Sequence, residues 1–198
     1  LVLLTGVSTG LTDFLLRRPE QWSLLSKDLR TLPQAAGWTD TFRDATSGCD
    51  TAAAVEALRV AYRRGLCQVA LFDAQSSQPL QVLPLVAACL ADMAGAALEV
   101  ALEIARRDHG LEASAVPLTI MGMGKAGARE LNYLSDVDVI YVTDTPAGAD
   151  AEKVLQGATI LARDTARHLM EFGKEPGLWE VDANLRPEGK DGALVRTL

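Results

Sequence analysis

The sequence predicts an α+β fold: a helical N-terminal part, residues 1–112, packed on a small mixed-sheet core, residues 113–198. Three observations predict it. Ala and Leu are abundant while aromatics make up only 5% of the 198 residues, a composition that favours helix. The character of the chain changes at Glu112–Ala115, a short polar linker followed by β-prone runs. One of these runs, 137–143, is rich in β-branched residues, and another, 178–186, alternates apolar and polar residues with the period of two that a half-buried strand requires.

Leu1–Lys27 reads as helical. Ser8 or Thr9 caps a helix whose apolar residues Leu11, Phe14 and Leu15 are spaced by three to four. Pro19 suits the first turn of a second short helix, Glu20–Leu25. Ser26–Asp50 contains Pro33, two glycines and scattered polar residues, and reads as a mobile loop. Asp50 reads as the cap of a helix over Ala52–Phe72, broken or bent near Gly65, with Leu58, Tyr62 and Leu66 on one face. Gln81–Arg107 is the longest candidate helix. Pro84 is tolerated near its start, Gly110 ends it, and Arg106 and Arg107 suit its C-terminal dipole. Its apolar residues cover more than one face, so other elements are expected to enclose it. After the linker, Pro117–Met121 reads as a buried strand, Gly122–Gly127 as a turn and Ala128–Tyr133 as a short helix. Val137–Thr143 is the second strand, Asp150–Phe172 a helix, Leu178–Arg186 the third strand and Pro187–Gly192 a turn-rich loop.

Composition excludes some functions. The chain is 48% hydrophobic, enough for a real core, and its formal net charge is −7. A bulk acidic balance disfavours non-specific nucleic-acid binding without excluding a local cationic pocket. Cys49, Cys67 and Cys89 are odd in number and form no CxxC pair. They read as free thiols in a reducing, cytoplasmic compartment, not as a disulfide framework or zinc site. No signal peptide is visible, and a chain running from Leu1 to Leu198 without an initiating Met is expected to be a piece of a longer protein. The most apolar stretch, Leu80–Ala91, is followed by Asp92 and Glu99. It falls short of the roughly 20 apolar residues that span a bilayer, so no membrane is expected.

The chemistry concentrates in Ile120–Ile140. Asp136 and Asp138, two apart in a β-prone run, point to one side while Val137, Val139 and Tyr141 point to the other. Two carboxylates on one face repel, and a bound Mg²⁺ with its preference for hard oxygen ligands reverses that penalty. An isolated Asp-x-Asp is more often a solvated strand end, so the context decides. On the third strand Trp179, Val181, Ala183 and Leu185 alternate with Glu180, Asp182, Asn184 and Arg186. Asp182 is placed to complete a three-carboxylate site, with Arg186 beside it to meet a phosphate. The alternative is an edge strand with a wet face. Lys125 and Arg129 are further candidates for phosphate oxygens, though most such residues are ordinary surface charge. Asn132 and Ser135 orient ligands or cap turns. His109 and His168 read as solitary surface residues with no role. Gly122, Gly124 and Gly127 form a literal GxGxxG, which invites a dinucleotide-binding reading. The space before the next strand is too short for the usual crossover helix, and Asp136 and Asp138 would have no role. A Walker loop fails because Lys125 lacks the required Ser or Thr.

The run from Gly122 through Lys125, Arg129-Glu-Leu-Asn-Tyr and Ser135-Asp-Val-Asp to Ile140, followed by Val181-Asp-Ala-Asn-Leu-Arg-Pro-Glu-Gly189, resembles the glutamine synthetase adenylyltransferase/adenylyl-removing family. Both runs are specific, and the likeness extends weakly to Gly6–Trp22. The family belongs to the DNA polymerase beta-like nucleotidyltransferase superfamily, so the resemblance implies a nucleotidyltransferase core. It implies that Asp136, Asp138 and Asp182 are the catalytic, metal-binding carboxylates and that Mg²⁺ is the cofactor. It further implies that Gly124, Lys125, Gly127, Arg129, Ser135 and Arg186 bind nucleotide and phosphate. Gly127-Ala128 matches the superfamily's Gly-Gly or Gly-Ser pair; with Ala in the second place, backbone N–H groups must serve in place of a hydroxyl. Family members carry two such domains. The wording here looks more like the N-terminal copy, which removes AMP from the adenylylated tyrosine of glutamine synthetase by phosphorolysis to ADP; the C-terminal copy adds AMP from ATP. Glutamine synthetase and a PII-type nitrogen regulator are the implied partners. A nucleotide-binding regulatory module without turnover stays open.

Overall fold

One long helix carries the rest of the molecule. The computed structural model describes residues 2–26, 31–33 and 35–198. Helices α1 (Val2–Val7) and α2 (Thr9–Arg17) and a 3-10 segment (Pro19–Ser26) lead to α3 (Ala35–Thr46), α4 (Thr51–Gln75) and α5 (Pro79–His109). Strand β1 (Thr119–Gly122), the single turn α6 (Gly124–Gly127), β2 (Val137–Thr143), α7 (Ala151–Met170), β3 (Val181–Asp182) and β4 (Val195–Thr197) follow. A 3-10 turn, Gly189–Asp191, sits between β3 and β4. Leu1 and Lys27, at the ends of the expected N-terminal helical stretch, lie outside the described residues.

The expected caps are present. Ser8 Oγ accepts from Leu11 N at 3.2 Å and Asp50 Oδ1 from Ala53 N at 2.8 Å, each satisfying an N–H that the first helical turn leaves without a partner. Gly110 takes φ 63° and closes α5 in the left-handed region.

Two helical expectations need correction. Ser26–Asp50 is not a loop throughout, because α3 occupies Ala35–Thr46. Its buried residues Trp38, Phe42 and Thr46 recur every fourth position; Gly37 and the short length obscured that stripe. Helix α4 runs unbroken through Gly65. The glycine serves packing: a Cβ there would lie 2.8 Å from Met93 Cε and 2.9 Å from Trp38 Cζ3.

Helix α5 packs against α3, α4 and α7, and buries residues on several faces, among them Leu90, Met93, Ala97, Ala101 and Ile104. Its length and composition would let it cross a bilayer, contrary to the expectation from Leu80–Ala91 alone, but 61% of its most apolar window is buried inside this fold. The same core continues into the sheet through Val137, Val139, Tyr141, Val181 and Val195.

Strand β2 is the middle of the sheet. It pairs antiparallel with β1, Gly122 opposite Val139, and parallel with both β3 and β4. β3 meets its first residues and β4 its last. β1 is mostly exposed, not buried as expected, because it has a partner on one side only. The expected short helix after Gly127 is instead the single turn Gly124–Gly127, which ends where Arg129 adopts φ 59°. The third strand shrinks to Val181–Asp182. Leu178 N is drawn to Leu169 O at 2.7 Å before it, and Arg186 folds back on Ala183 O at 2.5 Å after it. β4 was not anticipated.

Candidate active site

The register of β2 against β3 builds the site. Asp138 pairs directly with Asp182 across the parallel ladder. Asp136 precedes β2 by one residue and lies on the same side as Asp138, since alternate residues of an extended chain share a side. Val137, Val139 and Tyr141 fill the opposite, buried side. Ligand oxygens of Asp136, Asp138 and Asp182 come within 4.8 Å of one another. Asn184 N donates to Asp182 Oδ1 at 2.7 Å and fixes that carboxylate. Ser135 Oγ lies 3.5 Å from Asp136 Oδ1.

Lys125 Nζ is 3.8 Å from Asp136 Oδ1, the one cation in ion-pair range of the cluster among the described residues. One lysine leaves an excess of negative charge on three carboxylates. A hard divalent cation fits that donor set, because all three ligands are oxygens and their mutual repulsion is relieved by it.

The glycines let the backbone crowd this cluster. Gly124 stands at φ 50°, and a Cβ on it would lie 2.6 Å from Asp138 Oδ2. A Cβ on Gly127 would overlap Gly122 O. The N–H groups of Gly127 and Ala128 are spent on Met123 O at 2.9 Å and Gly124 O at 3.0 Å. Donors left for a phosphate at this turn therefore belong to residues 124–126, the first turn of α6.

Two expected phosphate ligands are engaged elsewhere. Arg129 makes a paired contact to Asp92 of α5, Nε to Oδ1 at 3.0 Å and Nη2 to Oδ2 at 2.7 Å, which holds its pKa above the ordinary value. Arg186 donates to the carbonyls of Ala183, Lys190 and Gly192, organising the loop after β3.

The histidines are not the solitary surface residues expected. His168 is buried, its pKa lowered by that burial. His109 Nε2 lies 2.5 Å from Asp164 Oδ2. With Asp108 these form a second close group of possible ligands, but its atoms are already committed: Thr51 Oγ1 donates to Asp108 at 2.8 Å and Arg167 pairs with Asp164 at 3.0 Å.

Sequence reasoning also passed over Glu175. Its side chain is 1% exposed and faces Arg17 at 3.0 Å, Arg63 at 3.3 Å and Arg18 at 3.5 Å. Its N–H donates to Glu56 Oε2 at 2.8 Å, and Arg59 binds its carbonyl at 3.0 Å. The connector that leads from α7 to Asp182 is thereby tied to α2 and α4. A glutamate inside a Gly–Pro-rich break was the only signal. A cavity of about 1480 Å³ along α4 and the end of α7 does not include the carboxylates. The carboxylates are the candidate site, because volume alone supplies no reacting group.

The family model described as glutamate-ammonia ligase adenylyltransferase matches residues 1–198, the whole chain. The chain belongs to the glutamate-ammonia ligase adenylyltransferase family. It is similar to the bifunctional glutamine synthetase adenylyltransferase/adenylyl-removing enzyme of Leifsonia xyli subsp. xyli, with 46% identity over 215 residues, covering 100% of this chain and 21% of the relative. The enzymes of the same name from Streptomyces avermitilis and Mycolicibacterium smegmatis are 43% and 42% identical, each covering 98% of this chain and 18% and 19% of theirs. This member of the family thus spans about a fifth of the length of these curated relatives.

Proposed function

We propose that this chain carries adenylyl-removing activity: phosphorolysis of the adenylyl-tyrosine of glutamine synthetase, giving ADP and free tyrosine. The observation that supports nucleotidyl transfer is the Asp138–Asp182 pairing across β2 and β3, with Asp136 alongside and all three carboxylates within 4.8 Å, and the likeness of the signature runs to the N-terminal copy of the family turns that reading toward removal. These residues would hold Mg²⁺, which when bound supplies positive charge at the reacting phosphorus. Lys125, beside Asp136, holds the attacking phosphate against repulsion from the cluster and the substrate phosphate. Gly124 lets the first turn of α6 lie against the cluster, and the N–H groups of residues 124–126 are the backbone donors offered to the nucleotide. A phosphate oxygen forms a new bond to the AMP phosphorus, the bond from that phosphorus to the tyrosine oxygen breaks, and the tyrosinate leaves and is protonated. Ser135 steadies Asp136, and Asn184 steadies Asp182.

A second reading is addition of AMP from ATP to the same tyrosine. The family description, which names adenylyltransferase alone, favours it, and the same carboxylates would serve. A PII-type regulator acting on the longer protein belongs to either reading.

The test follows ADP release from adenylylated glutamine synthetase by the full-length protein with Mg²⁺ and phosphate. ADP that requires phosphate and disappears in Asp138→Asn, with the thermal midpoint kept, supports removal. AMP incorporation from ATP that depends on Asp138, without ADP release, establishes addition. Near-normal turnover by Asp138→Asn sinks both.

A further inference from the structure

Arg129 and Tyr133 belong to the signature run, yet neither reaches toward the carboxylates. Each is bonded to an aspartate of the helical part. Arg129 forms its two-point contact with Asp92, near the middle of α5. Tyr133 Oη donates to Asp73 Oδ2 at 3.1 Å, near the end of α4. Between them Leu131 is 3% exposed and sits in the core. The loop from α6 to β2 is therefore held at three consecutive alternate positions. It joins the α6 turn, which carries Lys125, to Asp136, and the two side chains lie 3.8 Å apart.

The backbone at Arg129 is consistent with this docking. Arg129 and Glu188 are the only non-glycine residues with positive φ among those described. Arg129 follows α6 at the position where a helix normally ends in glycine, because a Cβ is strained in the left-handed region. A residue keeps such a conformation only where its surroundings over-determine it. Here two backbone bonds that close α6, Glu130 N to Lys125 O at 2.8 Å and Arg129 N to Ala126 O at 3.2 Å, do so together with the two-point contact of the Arg129 side chain, 60% exposed, to Asp92, 15% exposed. Asp92 is itself out of place on its helix, a carboxylate between the buried Leu90, Ala91, Met93 and Ala94.

We propose that Asp92 and Asp73 are positioning residues for the carboxylate site, acting through Arg129 and Tyr133 to set the loop that places Lys125 and Asp136. This rests on the nucleotidyl-transfer reading above. Arg129 is a peg that docks the signature loop onto the helices, not a ligand for the attacking phosphate. The helical part then does more than support the sheet: it determines whether one carboxylate and the lysine stand at reacting distance.

The experiment uses the full-length protein with Asp92→Asn, Asp73→Asn, Arg129→Gly and the exchange Asp92→Arg with Arg129→Asp. Steady-state ADP release gives kcat and the KM for phosphate. Mn²⁺ affinity by electron paramagnetic resonance, counting the ions lost in Asp138→Asn, reads the cluster without turnover. Arg129→Gly is the informative variant, because glycine is at home at that φ and the backbone is relieved while the peg is removed. A misplacement on the order of 1 Å costs roughly a hundredfold in rate, so the expected loss of kcat in Arg129→Gly and Asp92→Asn is about ten- to a hundredfold. The KM for phosphate stays within about twofold, and Mn²⁺ binding weakens. The exchange restores both, since Asp tolerates the left-handed region. Wild-type kcat and Mn²⁺ affinity in Arg129→Gly overturn the proposal. So does a raised KM for phosphate at unchanged kcat, with Asp92→Asn silent, since that makes Arg129 a phosphate ligand. Failure of the wild-type protein to release ADP overturns the proposed function instead, and the Mn²⁺ comparison still decides the role of the pegs.

Discussion

Substituting Gly124 by alanine tests the site most directly. The residue stands at φ 50°, and its new Cβ would lie 2.6 Å from Asp138 Oδ2. Two costs separate cleanly. The backbone cost of an L-residue in the left-handed region is about 1–2 kcal/mol, small against a domain stability of roughly 5–15 kcal/mol, so the protein stays folded. The steric cost falls on the carboxylate. Ordinary contact begins at 3.4 Å, so the Asp138 oxygen or the turn must move by about 0.8 Å. A displacement near 1 Å at a reacting centre costs on the order of a hundredfold in rate. The expected result is a protein melting a few degrees lower with turnover reduced by roughly two orders of magnitude. Gly110→Ala is the control. It also has positive φ, 63°, but nothing lies within 4 Å of its Cβ. It should show a similar stability loss with full turnover. The assay is ADP release beside thermal melts of all three proteins. Equal turnover in Gly124→Ala and Gly110→Ala would refute the claim that the glycine turn abuts a working carboxylate.

Other predictions follow from the surrounding structure. Glu175→Ala leaves Arg17 and Arg63 without their buried partner, and should cost about 3–5 kcal/mol in urea unfolding; a loss below 1 kcal/mol would show that the cluster is not holding the connector. His168 has its pKa lowered from 6.5 chiefly by burial, so the folded protein binds fewer protons than the unfolded chain. Its contribution is fully present above about pH 6.5 and falls as the pH drops below it. His168→Gln should flatten stability over that acidic window, and an unchanged slope would refute the assignment. Burial pushes the Cys67 thiol up to about 12 and raises Cys89, while Cys49 is partly exposed. A thiol reagent should therefore label one cysteine in the native protein and three in denaturant, and rapid native labelling of Cys67 would contradict the packing of α4.

Much of the architecture was written in periodicity and caps. The bounds of β2 and the Asp50 and Gly110 ends follow from local rules that need no tertiary contact: a β-branched run, N-cap chemistry and the left-handed glycine. The enclosure of α5 was legible because its apolar residues cover too many faces for a surface helix. The three candidate carboxylates were legible from spacing and from likeness to the family, and Asp136 and Asp138 share a side of the chain for a purely local reason.

Tertiary structure decided the rest. No local rule sets the register of a parallel pair formed across more than forty residues, so only the fold puts Asp182 opposite Asp138. The same holds for what each charge meets. Arg129, Arg186 and Lys125 look alike in sequence, yet one is bound to Asp92, one to its own loop and one stands beside Asp136. A long cationic side chain reaches partners that are distant in sequence, and its chemistry is settled by which of them folding brings within a few ångströms.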